Sequence, residues 1–144
     1  MQLSTKGRYA VMAMADLAAQ APERATPLAA IAARQQISRA YLEQLFARLR
    51  RRGLVNAVRG PGGGYRLARP AADLSIAEVV TAVDEPLRAT RCSGGRVGCL
   101  KGGERCLTHD LWAETGRRIH DYLAGVSLAD LRDGRLGNPQ ERPS

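Results

Sequence analysis

The sequence predicts a mainly α-helical fold with a small β-wing: a winged helix-turn-helix domain followed by a long C-terminal dimerisation helix. Three observations predict it. Only six of the 144 residues are aromatic, although 44% are hydrophobic. Leu, Val, Ile and Ala must therefore make most of the core, which favours closely packed helices over a β-sandwich. Three segments before Gly53 carry apolar residues at helical spacing, and after Gly53 the period changes to short β-prone pieces around a glycine-rich turn. A chain of this length suffices for one compact domain or for a small domain with an added oligomerisation element.

The first helix is predicted in TKGRYAVMAMADLAAQ, where Tyr9, Ala10, Ala13, Met14, Leu17 and Ala18 share a face and Pro22 closes the segment. In the second, Thr26 is the expected N-cap, Pro27 the first helical residue, and Leu28, Ile31 and Ala32 the apolar face. Ser38 offers the next N-cap, and Leu42, Leu45, Phe46 and Leu49 form one face of a third helix that stops at Gly53. Two such helices joined by a short turn make a helix-turn-helix. The pieces Leu54 to Val58 and Tyr65 to Leu67 flank RGPGGG, which predicts a two-stranded hairpin, the wing. GPGGG lacks the Gly-Lys-Ser or Gly-Lys-Thr ending of a nucleotide-binding loop and does not lie between a strand and a helix start.

Ser75 and Glu78 stand at capping-box spacing before a helix expected to stop near Pro86. From Thr108 a long amphipathic helix carries Leu111, Thr115, Ile119 and Tyr122 on one stripe and ends at Gly125. That stripe has no evident partner inside a small winged helix, so a dimer seam is expected there. A short capped turn at Ser127 to Leu131 follows. The expected divisions are 1–83, winged helix-turn-helix; 84–107, cysteine loop; 108–131, dimerisation helix and capped turn; and 132–144, flexible tail.

The net charge of +8 is concentrated at the front. Residues 1–83 contain twelve Lys or Arg against five Asp or Glu, and eight arginines between Arg39 and Arg69 face the single acid Glu43. Phosphates of double-stranded DNA are the expected partner. The N-terminus imitates a signal peptide only in outline, because Asp16 interrupts its apolar run. No stretch approaches the length of a membrane span. A cytoplasmic location without membrane attachment is expected, and there a cysteine cluster binds metal more readily than it forms disulfides.

With the apolar face of the third helix inward, Arg39, Ala40, Glu43, Gln44, Ala47, Arg48 and Arg50 to Arg52 face outward. Gln44 can pair bidentately with adenine, and Glu43 can accept from a cytosine amino group. Glu43 is also repelled by phosphates at wrong sites, or it pairs on the helix surface with Arg39. Arg59, beside Gly60 and Pro61 at the shoulder of the wing, suits a minor groove narrowed by A·T pairs or a phosphate.

All three cysteines lie in RCSGGRVGCLKGGERCLTH, with spacing C-x6-C-x6-C-x2-H. Glycines let a loop wrap a compact object, and three thiolates with one imidazole make a four-ligand set. A structural zinc is one reading, although zinc ligands usually pair at two to four residues. An iron-sulfur cluster suits the wide gaps better. A Cys-His nucleophile needs a shaped pocket and an oxyanion site, which a glycine loop on so small a domain does not visibly offer.

The stretches LSTKGRYAVMAM, YLEQLFARLR, GLVNAVRGPGGGYRLAR, AVDEP and TRCSGGRVGCLKGGERCLTHDLW together resemble the IscR family of bacterial iron-sulfur cluster regulators, over nearly the whole chain as far as Leu131. The resemblance implies a homodimeric repressor of iron-sulfur assembly genes that senses a 2Fe-2S cluster, binds a palindromic operator, dimerises through its long helix and receives its cluster from donor proteins. It implies Cys92, Cys99, Cys106 and His109 as ligands, Tyr41, Glu43 and Gln44 in the recognition helix, and Arg59 as the wing contact; with Arg39 and Arg50 from the outward face of the helix and Gly60 beside Arg59, these make the expected DNA-binding set. Related regulators of the same superfamily carry a 4Fe-4S centre and sense nitric oxide. Each cysteine gap is one residue longer than the family's common spacing, and Ala40 stands where a DNA-contacting serine is often found.

Overall fold

The computed structural model describes residues 5–83, 100, 102, 104 and 106–136. Pro86, Cys92, Cys99 and the tail from residue 137 lie outside them. Helices α1 (Thr5–Ala18), α2 (Leu28–Gln35) and α3 (Arg39–Arg51) are followed by strands β1 (Val55–Val58) and β2 (Gly64–Leu67). A 3-10 turn at Ala71–Asp73 leads into α4 (Ile76–Ala82); then come α5 (His109–Ala124) and α6 (Leu128–Arg132).

The core gathers Ala10, Ala13, Met14 and Leu17 of α1, Ile31 of α2, and Leu42, Leu45, Phe46 and Leu49 of α3. Val79, Val80 and Val83 close it from the α4 side. Small residues along α1 let α4 lie close against it, and Phe46, fully buried, is the largest side chain at the centre. Truncating Phe46 to Ala would cost about 3 to 5 kcal/mol.

Helix boundaries follow the local chemistry. The Ser38 hydroxyl accepts from the Tyr41 N–H at the start of α3, and Ser75 with Glu78 forms a reciprocal capping box on α4. Ser127 and Asp130 form a second box on α6. The N-cap expected at Thr26 is displaced by one residue: Pro27 is the N-cap of α2, with no side-chain capping bond. Thr26 is instead 6% exposed and bridges to Tyr65. A buried backbone N–H and C=O must find partners, and the β-bridge supplies both.

β1 and β2 pair antiparallel, with Val55 opposite Leu67 and Val58 opposite Gly64. Arg48, expected outward, is half-buried, and its guanidinium donates to the Val83 carbonyl at 3.2 Å, tying α3 to the end of α4. The segment after α5 returns to the front domain. Ile76 N–H donates to Val126 O, and Leu128 N–H to Leu74 O, both at 2.9 Å, so Leu128 and Ala129 are buried in the common core. By contrast, α5 itself contains no buried residue. Arg132 and Arg135, placed by the sequence in a flexible tail, both pair with Asp133.

Candidate nucleic-acid interface

Burial of Leu42, Leu45, Phe46 and Leu49 fixes the rotation of α3 about its axis, so Arg39, Glu43, Gln44, Ala47 and Arg50 are exposed on its other side. Glu43 lies 3.5 Å from Arg39 across one helical turn. Among the described residues no acid pairs with Arg50, Arg51, Arg52 or Arg59. These guanidinium groups along α3 and the wing have no acidic partner among the described residues, and such clustered positive charge favours phosphates.

Tyr41 sits differently from its neighbours. It is half-buried, with its ring edge-on to Tyr9 at 5.7 Å, so one side packs on α1 while the residue remains at the helix start. Arg59 and Gly60 are exposed at the wing tip, where Gly60 adopts φ +96°, a left-handed conformation that favours glycine. The tip closes through Gly63 N–H to Gly60 O at 2.9 Å.

The wing is anchored at its base. Tyr65 and Thr26 exchange two backbone hydrogen bonds of 2.9 Å, and the Tyr65 ring lies 4.9 Å from the Phe46 ring. Sequence reasoning missed this anchor, because a single residue pairing across forty positions leaves no periodic trace.

At the start of α5 the structure brings together Cys106 and His109. The His109 N–H donates to the Cys106 carbonyl at 3.1 Å, and the Cys106 sulfur lies 3.4 Å from the Thr108 hydroxyl. Cys92 and Cys99 lie outside the described residues, and among those described no group of three or more His, Cys, Asp or Glu is placed to hold a metal ion. Along α5, Leu111 and Tyr122 are 57% and 56% exposed, while Thr115 and Ile119 are half-buried. Trp112, 41% exposed, also lies on this helix. Sequence reasoning left it out, although it stands three residues before Thr115. No helix among the described residues is long and apolar enough to cross a membrane.

A family model described as Rrf2, iron-dependent transcriptional regulator, matches residues 3–134. The chain belongs to the Rrf2 family. It is similar to the HTH-type transcriptional regulator IscR of Photorhabdus laumondii, 56% identical over 91% of this chain and 79% of that protein. It is also similar to the IscR of Serratia proteamaculans, 54% identical over the same shares. Among solved structures it resembles CymR, the global cysteine regulator of B. subtilis, with a TM-score of 0.79 and 30% identity, covering 93% of this chain and 98% of that one. T. potens IscR matches with a TM-score of 0.75 and 34% identity, covering 100% of this chain and 93% of that one. As an Rrf2 protein, the chain is a winged-helix, DNA-binding transcription regulator and not an enzyme.

Proposed function

We propose that this Rrf2 regulator is a cytoplasmic homodimer, acting mainly as a repressor of iron-sulfur cluster assembly genes. A 2Fe-2S cluster held by Cys92, Cys99, Cys106 and His109, and delivered by cluster donor proteins, sets which palindromic operator it binds. The observation that carries this reading is the placement of Cys106 and His109 within one turn at the start of α5, immediately after the glycine-rich cysteine segment. A thiol and an imidazole both suit iron as ligands. The cluster, when bound, supplies a centre whose assembly and loss follow iron-sulfur supply, with imidazole ligation raising its potential relative to all-thiolate ligation.

On DNA, α3 enters the major groove, where Gln44 pairs with adenine and Glu43 rejects sites that offer no amino donor. Arg39 and Arg50 bind phosphates beside it. Arg59 and the Gly60 backbone follow the minor groove from the wing tip. Leu111, Thr115, Ile119 and Tyr122 form the seam with a second copy, which spaces two recognition helices on a palindrome.

The deciding experiment records the visible absorption, iron content and sulfide content of protein purified without oxygen, and its affinity for a palindromic operator before and after cluster removal. Absorption and stoichiometry of a 2Fe-2S centre with a changed affinity support the reading. A 4Fe-4S centre would point to the nitric-oxide-responsive branch of the superfamily. Colourless protein with bound zinc and unchanged affinity would make the cysteines structural.

A further inference from the structure

The wing is held at both of its strands. β1 follows directly from α3, with the Leu54 N–H donating to the Leu49 carbonyl at 3.0 Å. β2 is held on its outer edge, where the Tyr65 N–H and C=O both turn away from β1 to meet Thr26. The next residue toward the tip, Gly64, passes so close to the Thr26 carbonyl and the Pro27 nitrogen that a Cβ on it would collide with backbone atoms on both. Gly64 also has φ +154°, outside the usual range of residues with side chains. By contrast, a Cβ at Gly60 or Gly62 would meet open space. Gly64 pairs with Val58, so this close approach stands one position from Arg59.

We infer that Gly64 and Thr26 form a lock that positions the wing, and that they act on DNA binding through Arg59. The inference rests on the wing contact proposed above. Three elements converge at the lock: the start of α2 through Thr26 and Pro27, α3 through the Tyr65 ring on buried Phe46, and the wing itself. The recognition helix and the Arg59 backbone are thereby held in one frame. A minor groove is only about 6 Å wide, so a displacement of an ångström or two at the base of the tip carries Arg59 out of register with it. Gly64 and Thr26 are thus positioning residues and touch no DNA.

The test is a double-mutant cycle on a palindromic operator duplex, read by fluorescence anisotropy, with Gly64→Ala, Arg59→Ala and the double variant of the full chain. Each single variant is expected to bind about tenfold more weakly, and the double variant no more weakly than the worse single, because both remove one contact. Gly64→Ala and Arg59→Ala should both lose preference for A·T over G·C pairs under the wing, and in Gly64→Ala hydrogen exchange of the Tyr65 amide should be faster than in the parent. If Gly64→Ala fails to fold, Tyr65→Leu, which loosens the ring contact with Phe46 and leaves Gly64 in place, is expected to show the same non-additivity with Arg59→Ala. Multiplicative losses overturn the inference, as does full binding by Gly64→Ala. Full binding by Arg59→Ala overturns both the inference and the proposed wing contact, which separates the two failures.

Discussion

The Glu43 carboxylate lies 3.5 Å from the Arg39 guanidinium, one turn apart on the exposed face of α3. Both side chains are more than half exposed, so the pair adds at most about 1 kcal/mol to stability. Its consequence is for the proposed recognition: Glu43 is partly neutralised by Arg39, the residue proposed to bind phosphate beside it. Glu43→Ala is expected to leave the melting temperature unchanged. It should let cluster-free protein bind the operator of the cluster-loaded form at least about tenfold more tightly than unmodified cluster-free protein does. Anisotropy titration of both states checks this, and a variant that still requires the cluster shows that Glu43 is not what keeps cluster-free protein off that operator.

Cys106 and His109 precede or begin a helix that contains no buried residue, and both are themselves only half-buried. Cys106→Ala and His109→Ala are each expected to abolish or sharply reduce bound iron and sulfide while the far-UV circular dichroism stays that of the parent. Iron and sulfide analysis after anaerobic purification distinguishes this from a site elsewhere, which would keep its metal in both variants.

The exposed stripe of α5 offers Leu111 and Tyr122 more than half open to solvent. Leu111→Glu with Tyr122→Glu places two charges where a dimer seam would bury them, without touching the core of the protomer. Sedimentation velocity should show a monomer of unchanged secondary structure, and affinity for a palindrome should fall at least about tenfold as the two half-sites become separate binding events. A variant that remains dimeric would move the seam off this stripe.

Asp16, whose side chain is 3% exposed, receives two hydrogen bonds from Arg34 at 2.7 and 2.9 Å and one from Gln35 at 2.9 Å. Burial by itself raises its pKa, but the bonds from Arg34 and Gln35 and the charge of Arg34 outweigh it, so the carboxyl titrates below its ordinary 3.8. A carboxylate with a lowered folded-state pKa stabilises the fold above its unfolded value and loses that contribution as pH falls through the folded one. Asp16→Asn should therefore cost about 2 kcal/mol at neutral pH. The gap to the parent should begin to narrow as pH falls past 3.8 and close only below the lower folded-state pKa, which urea titrations across that range would show.

Legibility in the sequence followed the range of the interaction. The four apolar residues of α3, the Ser75 and Glu78 box and the span of α5 were legible because each depends on neighbours three or four positions away. The exposed set Arg39, Glu43, Gln44 and Arg50 followed by elimination from the buried face. Thr26 was misassigned because its local signal, a threonine before a proline, is that of a cap. The bridge to Tyr65 that overrides it comes from a segment nearly forty residues away. Arg48 carried the same charge as its neighbours, and its bond to the distant Val83 carbonyl sets it apart from the exposed Arg50.

The sequence by itself determined which face of α3 is left exposed, where the wing turns, and that three thiols and an imidazole share one short segment, since periodicity, glycine placement and spacing are local properties of a chain. Only the tertiary structure decided that Thr26 bonds to the wing, that Asp16 is buried among Arg34 and Gln35, and that α6 returns to the core while α5 contains no buried residue. These arrangements depend on which buried polar groups find partners and which apolar surfaces meet, and both are settled when distant segments pack together.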